Sequence, residues 1–208
     1  MWVRRDGHPA GGLTQVYRFK KQTMDKHLKE TKIDGSIAYD GGFLKVHRDT
    51  VSLPDGKHTK REYIRHPGAV VIIPVLDNGK VLLERQYRYP NDRVFIELPA
   101  GKIDPGEDPL ACAMRELEEE TGYTATDWQF VSTIHNAIAY SDEHLDIYLA
   151  RGLTAGEVKL DDGEFIETIT ASVDEMLDWV RSGKITDVKT VIGAFWLDKL
   201  RSGDWKLD

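Results

Sequence analysis

The chain has a single cysteine in 208 residues, Cys112, so no internal disulfide can brace the fold. That scarcity points to a reducing compartment, taken as the cytoplasm. Long apolar runs are missing too: the longest, Ala69–Leu76, is broken by Pro74 and is far too short to span a bilayer. Met1–Gly7 lacks the apolar stretch of a secretory leader. Positive charge is in deficit, with 28 Lys and Arg against 35 Asp and Glu, a formal net charge of −7. A field of that sign disfavours nonspecific binding to polyanions. Neither nucleic acid nor membrane is therefore an expected partner. What is present, 40% hydrophobic and 30% charged residues, suits a globular protein with a real core.

Residues 1–35 are polar and without clean periodicity, apart from a short helix at Met24–Leu28. Short apolar stretches begin at Ser36. Phe43–His47, Thr50–Leu53 and Arg61–Ile64 read as strands around a Pro54-Asp55-Gly56 turn, a small antiparallel module ending near residue 65. Ala69–Leu76 is a β-branched run of the kind buried on both faces. The Asp77-Asn78-Gly79 turn then predicts a hairpin with Lys80–Tyr87. Val94–Leu98, Trp128–His135 and His144–Ala150 are further strands. Asp108-Pro109 starts a helix as N-cap and first residue, with Leu110, Ala113, Met114 and Leu117 at helical spacing and Gly122 as its stop. Ser172 and Glu175 form a capping-box pattern. Asp187 opens a last helix, with Val188, Val191, Ile192, Phe195 and Leu197 on its inner side. The mixture predicts an α/β fold, a mixed sheet sandwiched between helices, as one domain over 66–208 with residues 1–65 as a separate small sheet module.

Acidity is concentrated where chemistry would need it. Asp104 to Glu120 holds seven carboxylates against one arginine, Arg115. At roughly 100° per residue, Glu116, Glu119 and Glu120 share one arc of the helix beside the apolar arc of Leu110, Ala113 and Leu117. Like charges at these spacings repel. A hard divalent cation with oxygen ligands offsets that repulsion, and Mg²⁺ is the usual one where phosphates complete the octahedron, with Mn²⁺ an alternative. The turn-rich Gly101–Glu107 segment can fold over the helix and bring Glu107 and the Ala100 carbonyl towards the cluster.

Gly101, Glu107, Arg115-Glu116-Leu117, Glu119-Glu120 and Gly122-Tyr123 match the Nudix box at every position, and on these residues the chain resembles the Nudix hydrolases. The resemblance implies hydrolysis of a nucleoside diphosphate linked to another moiety. Glu116 and Glu120 match the principal metal ligands, with Glu119, the Ala100 backbone oxygen and Glu164 as further ones. It also implies a catalytic set of Glu164, Glu119, Asp162 and Arg115. Glu164 is the first candidate for the base and Asp162 the second, while Arg115 and Glu107 support the loop–helix geometry.

A wider likeness, from Phe43 to Leu200, is to the ADP-ribose pyrophosphatase and nucleoside-diphosphate-sugar branch. It rests on Arg61-Glu62-Tyr63, Arg85-Gln86-Tyr87-Arg88, Glu97–Gly101, Ser141-Asp142-Glu143 and Asp162–Glu167. The substrate residues it implies are Arg88 and Arg61 on phosphates, Glu62 and Glu143, and Tyr39 or Phe43 stacked on a base. Ala137-Ile138-Ala139 replaces that branch's Ser-Pro-Gly, which implies a range extending to GDP-mannose and other nucleotide sugars. A homodimer that exchanges the N-terminal module is a further implication. The alternatives are Nudix hydrolysis of dinucleoside polyphosphates, nucleotide triphosphates or capped RNA, and an inactive ligand sensor; the three intact glutamates argue against the last.

Overall fold

The computed structural model describes residues 23–42 and 44–207. Residues 1–22, Phe43 and Asp208 lie outside the described residues. Thr23–Leu28 forms two 3₁₀ turns joined by a kink at Asp25. Strands β1 (Thr31–Asp40), β2 (Lys45–Ser52) and β3 (His58–Ile64) follow as an antiparallel sheet in that order. Here the sequence reading needs two corrections. An unexpected strand, Thr31–Asp40, precedes the first one read from the sequence, and β2 runs unbroken where two strands, Phe43–His47 and Thr50–Leu53, were expected. Every residue of β1 is exposed, so burial imposes no apolar alternation on it. The polar centre of β2 is tolerated because the buried Asp49 carboxylate is met by Lys32 Nζ at 2.8 Å and by Tyr63 Oη at 2.8 Å.

The chain then enters β4 (Ala69–Pro74), β5 (Val81–Arg88), β6 (Arg93–Glu97), β7 (Ala100–Lys102), α1 (Pro109–Thr121) and β8 (Tyr123–Thr124). It continues through β9 (Asp127–Ile134), β10 (Leu145–Arg151), β11 (Thr154–Ala155), β12 (Ile166–Ala171), α2 (Val173–Arg181) and α3 (Val188–Ser202). The main sheet has the order β7-β4-β10-β9, with β4 and β10 parallel and the other pairs antiparallel. A second antiparallel sheet has the order β12-β5-β6. The expected tight turn forms, with Gly79 at φ 79° and Leu76 N donating to Lys80 O at 2.9 Å. The expected hairpin does not. Only Val75 and Val81 bridge, after which β4 and β5 part into different sheets.

Strand β4 is buried along its whole length and divides its side chains between two cores. Val70 and Ile72 pack with Ile103, Cys112, Ala113 and Leu117 beneath α1, while Val71 and Ile73 join Leu98, Met176, Ile185, Ala194 and Leu197 beneath α2 and α3. Each such aliphatic side chain contributes about 1.5–3 kcal/mol by leaving water. This is the predicted sheet between helices. On α3 the predicted inner residues Leu197, Val191 and Ile192 do pack on the core, but Val188 and Phe195 are about half exposed, and Lys189, Thr190, Gly193 and Ala194 are buried in their place. A Cβ on Gly193 would lie 2.4 Å from Leu98 Cδ1, so small residues let the helix approach the strand end. Met114 on α1 is also exposed. The N-terminal sheet is tied to the rest by a parallel bridge from Ile64 to Ser141, by Ile64 N donating to Tyr140 O at 2.8 Å, and by Arg65 on Asp142 at 2.5 Å.

Candidate active site

Helix α1 starts where the sequence predicts. The Asp108 carboxylate accepts from Leu110 N and Ala111 N, Pro109 occupies the first turn, and Gly122 ends the helix at φ 74°. Ahead of it the loop folds back through one side chain. Arg115 donates to both oxygens of Glu107 at 2.9 and 3.0 Å, to Glu116 at 2.8 Å, to Glu119 at 3.0 Å and to the Lys102 carbonyl at 3.3 Å. The Arg115 guanidinium, helped by the Asp104 amide, holds the Glu107 carboxyl down to about 2. Glu107 is therefore a clamp on the loop and does not itself join the carboxylate cluster.

The cluster is made by Glu116 and Glu120, the backbone of Ala100–Gly101, and a residue the sequence reading missed. Ala100 N donates to Glu120 Oε2 at 3.1 Å. Gly101 lies so close under Glu116 that a Cβ there would stand 1.8 Å from its carboxyl carbon. Glu84, on β5, is 3% exposed, and its Oε1 has no hydrogen-bond partner among the described residues. Burial raises the pKa of Glu84, and burial followed by repulsion from Glu84 and Glu116 raises that of Glu120. Glu116 is raised as well, by burial first, against the opposing pull of Arg115. Burying carboxylates together without a counter-charge is costly.

Among the described residues no group of three or more acidic, His or Cys side chains is placed to hold a metal ion by itself. An open, oxygen-only set is nonetheless what Mg²⁺ uses, because water and phosphate oxygens supply its remaining ligands. The orphaned Glu84 oxygen, the raised Glu120 carboxyl and the missing Cβ at Gly101 all fit a divalent cation.

Arg88 is held on the same side of β5 as Glu84 by the two-residue period of the strand. Its guanidinium donates to both oxygens of Glu97 on β6, at 2.7 and 2.8 Å, and its charge reaches Glu120. Glu97 is buried and was also missed, as was Lys189 of α3, which ion-pairs with it. Burial works to raise the Glu97 carboxyl, but Arg88 and Lys189 together hold it below its ordinary value.

The remaining predicted residues divide by location. Glu164 follows a turn at Asp161–Gly163, with Glu164 N donating to Asp161 O at 3.0 Å, and its charge reaches Glu116 and Glu120. It also lines a groove of about 360 Å³ with Arg85, Tyr87, Phe165 and Glu167. Asp162, the second candidate for the base, is exposed at the top of that turn. Arg61 is bound bidentately by Glu30 at 2.9 and 2.6 Å, and Glu62 receives Arg48 at 2.7 Å, both in the N-terminal sheet. Tyr39 is exposed at the end of β1. Glu143 lies in the loop between β9 and β10, 3.7 Å from His66 Nε2. Phe43 lies outside the described residues. Within one chain, then, Arg88, Glu164 and the α1 glutamates are gathered, and Arg61, Glu62 and Tyr39 are held on another sheet.

A mixed sheet between helices, with an acidic helix packed over a glycine turn at one strand end, is the arrangement expected of the Nudix hydrolases. The NUDIX domain matches residues 65–188. The chain belongs to the Nudix family and is a Nudix hydrolase. It is 38% identical over 176 residues to the methanol dehydrogenase activator of Bacillus methanolicus, covering 84% of this chain and 95% of that one. It is 37% identical over 174 residues to the ADP-ribose pyrophosphatase of Bacillus subtilis, covering 83% and 94%. Among solved structures, an ADP compounds hydrolase shares the fold with a TM-score of 0.77 at 24% identity, over 85% of this chain and 96% of that one.

Proposed function

We propose that this chain hydrolyses the pyrophosphate bond of ADP-ribose and related nucleoside diphosphate sugars, giving a nucleoside monophosphate and a sugar phosphate. The observation that carries the reading is the buried Glu84–Glu120 carboxylate contact beside Glu116 and Arg88, an arrangement that calls for a cation and a phosphate together. Relatives named ADP-ribose pyrophosphatase in Bacillus subtilis and Mycobacterium tuberculosis support the substrate class. Glu116, Glu119, Glu120 and the Ala100 carbonyl would hold Mg²⁺ or Mn²⁺, with Glu164 as a further ligand. Bound there, the cation neutralises phosphate charge and polarises the bond to be broken. Arg88 would turn its planar donor fork towards a phosphate. Glu164, on its glycine-hinged turn, accepts a proton as water attacks one phosphorus, and the bridging oxygen leaves with the other phosphate. Asp162 is the second candidate for that proton.

The test is a panel of ADP-ribose, ADP-glucose and GDP-mannose with Mg²⁺. We expect cleavage of ADP-ribose to AMP and ribose 5-phosphate, with another nucleotide sugar within about tenfold in kcat/KM, which is about 1.4 kcal/mol of differential transition-state binding. Ala137-Ile138-Ala139, without a rigid proline, supports that breadth. Excess EDTA should silence every reaction, and Mg²⁺ or Mn²⁺ should restore them. Full activity in EDTA, or a preference above a thousandfold for one substrate, would sink the corresponding part of the reading.

The N-terminal module, residues 1–65, is proposed to exchange between two copies of the chain in a homodimer, adding Tyr39 and Arg61 to the partner's site. In support, β1 is an edge strand of ten residues, all exposed, that displays Ile33, Ile37 and Tyr39. Such an edge is a ready surface for pairing. Light scattering should show a dimer, and Ile37→Asp should give a folded monomer with KM raised about tenfold. A wild-type monomer of normal activity would rule the exchange out. No helix among the described residues is long and apolar enough to cross a membrane, and a single buried free cysteine supports placement in the cytoplasm.

A further inference from the structure

The first turn of α3 carries a buried lysine that the Nudix box does not contain. Lys189 Nζ is tied to Glu97 Oε2 by a very short contact and to Asp187 Oδ2 at 3.1 Å, and the residue is 8% exposed. Asp187 is the N-cap of the helix and accepts from Thr190 N at 3.0 Å and from Thr190 Oγ1 at 2.6 Å. The Thr190 hydroxyl accepts in turn from Leu98 N at 2.8 Å, just past Glu97 at the end of β6. One turn further, Gly193 permits close contact with Leu98. Lys189, Thr190 and Gly193 thus bracket the strand end that presents Glu97. That carboxylate is the one to which Arg88 is bound on both oxygens.

We infer that Lys189 is a positioning residue for the phosphate-binding arginine: it fixes Glu97, and Glu97 fixes the plane of the Arg88 guanidinium. The inference rests on the reading of Arg88 as a phosphate ligand. The physical argument concerns what Glu97 would do alone. It is buried beside Glu84, whose like charge repels it. A bidentate arginine satisfies one edge of the carboxylate, but two other charged groups, Lys189 and Asp187, lie behind it. Without the ammonium, a buried carboxylate loses a charge-assisted hydrogen bond and faces Glu84 and Asp187 with one counter-charge fewer. It can then relax only by rotating or by taking up a proton, and either frees the Arg88 fork. Planar bidentate groups are useful to phosphate recognition because they are held in advance, so the loss falls on binding.

The experiment compares the full-length parent with Lys189→Met and Lys189→Arg. The first readout is the arginine Nε–H region of a ¹H–¹⁵N spectrum, in which the resonance absent from Arg88→Lys identifies Arg88 and needs no substrate. In the parent it should be dispersed and slow to exchange. In Lys189→Met it should collapse into the exposed-arginine envelope, while Lys189→Arg keeps it. The second readout is kinetic: KM for ADP-ribose should rise about tenfold in Lys189→Met with kcat changed by less than threefold, and the same change should add less than twofold in an Arg88→Gln background. An unmoved Arg88 resonance in Lys189→Met overturns the inference, as does full additivity with Arg88→Gln. Should the parent leave ADP-ribose intact, the substrate reading fails, and the resonance still decides the positioning. If Lys189→Met does not fold, Lys189→Gln, which keeps a donor without the charge, is read against the same outcomes.

Discussion

Glu120→Gln is expected to lower turnover about a thousandfold and, in the presence of a chelator, to melt at a higher temperature than the parent. The two effects have one origin. Glu120 is buried, its carboxylate faces Glu84 and Glu116, and it accepts a hydrogen bond from the Ala100 amide. With a cation present, the negative charge is an asset, and three powers of ten correspond to about 4 kcal/mol of transition-state stabilisation. Without one, the same charge opposes folding. The sign follows from linkage: burial and like charges raise the folded-state pKa above the ordinary 4.5, so metal-free stability is full below that value and is lost as pH rises past it. Glu84 shifts in the same direction. The parent in EDTA should therefore melt progressively lower from pH 5 to pH 9, and the glutamine variant should show a flatter profile. Steady-state kinetics and thermal melts at several pH values check both halves. A variant within threefold of parental activity, or one that melts lower in EDTA, would contradict this account of the cluster.

Gly101→Ala should be nearly as damaging to activity while leaving the fold in place. The φ of Gly101 is not in the left-handed region, so alanine meets no backbone obstacle. Its Cβ, however, would stand 1.8, 1.9 and 2.2 Å from the carboxyl carbon and the two oxygens of Glu116. These are the atoms at the end of a flexible side chain, so Glu116 turns away and the strand keeps its place. That breaks its 2.8 Å bond to Arg115 and removes one carboxylate from beside Glu120. We expect a loss of about a hundredfold in kcat/KM, or about 2.7 kcal/mol. Mn²⁺ affinity measured by calorimetry should weaken in parallel, with a melting temperature within a few degrees of the parent. Unchanged Mn²⁺ affinity would show that Glu116 is held elsewhere than the structure places it.

Much of this architecture was legible before any coordinates. The α1 helix announces itself through Asp108, Pro109, its apolar positions and Gly122, because each satisfies a local rule that needs no distant partner. The acidic positions were readable for the same reason, since a helix fixes which carboxylates share an arc. What escaped reading lies where local and distant preferences diverge. Glu84 occurs in Glu84-Arg85-Gln86-Tyr87-Arg88, which looks like the wet end of a strand, so that only Arg88 was singled out from it. Only the pairing of β5 with β6, Glu84 opposite Glu97, and the arrival of α3 bury the two carboxylates. Lys189 and Thr190 escaped because polar residues on an amphipathic helix are expected to face water, whereas here they meet the end of β6 and displace Val188 and Phe195 outward. The strand β1 was invisible because no part of it is buried within the single chain. A buried acid within a strand, flanked by an arginine at the second-next same-face position, is the signal that could have found Glu84.

The most direct test is single-turnover hydrolysis of ADP-ribose in ¹⁸O-water with Mg²⁺, read by mass spectrometry. AMP and ribose 5-phosphate should appear together, with one ¹⁸O atom in one of them, and neither should form with EDTA or with Glu120→Gln. Intact ADP-ribose, release of unlabelled products, or label carried by free inorganic phosphate would contradict hydrolysis of the pyrophosphate bond at this site.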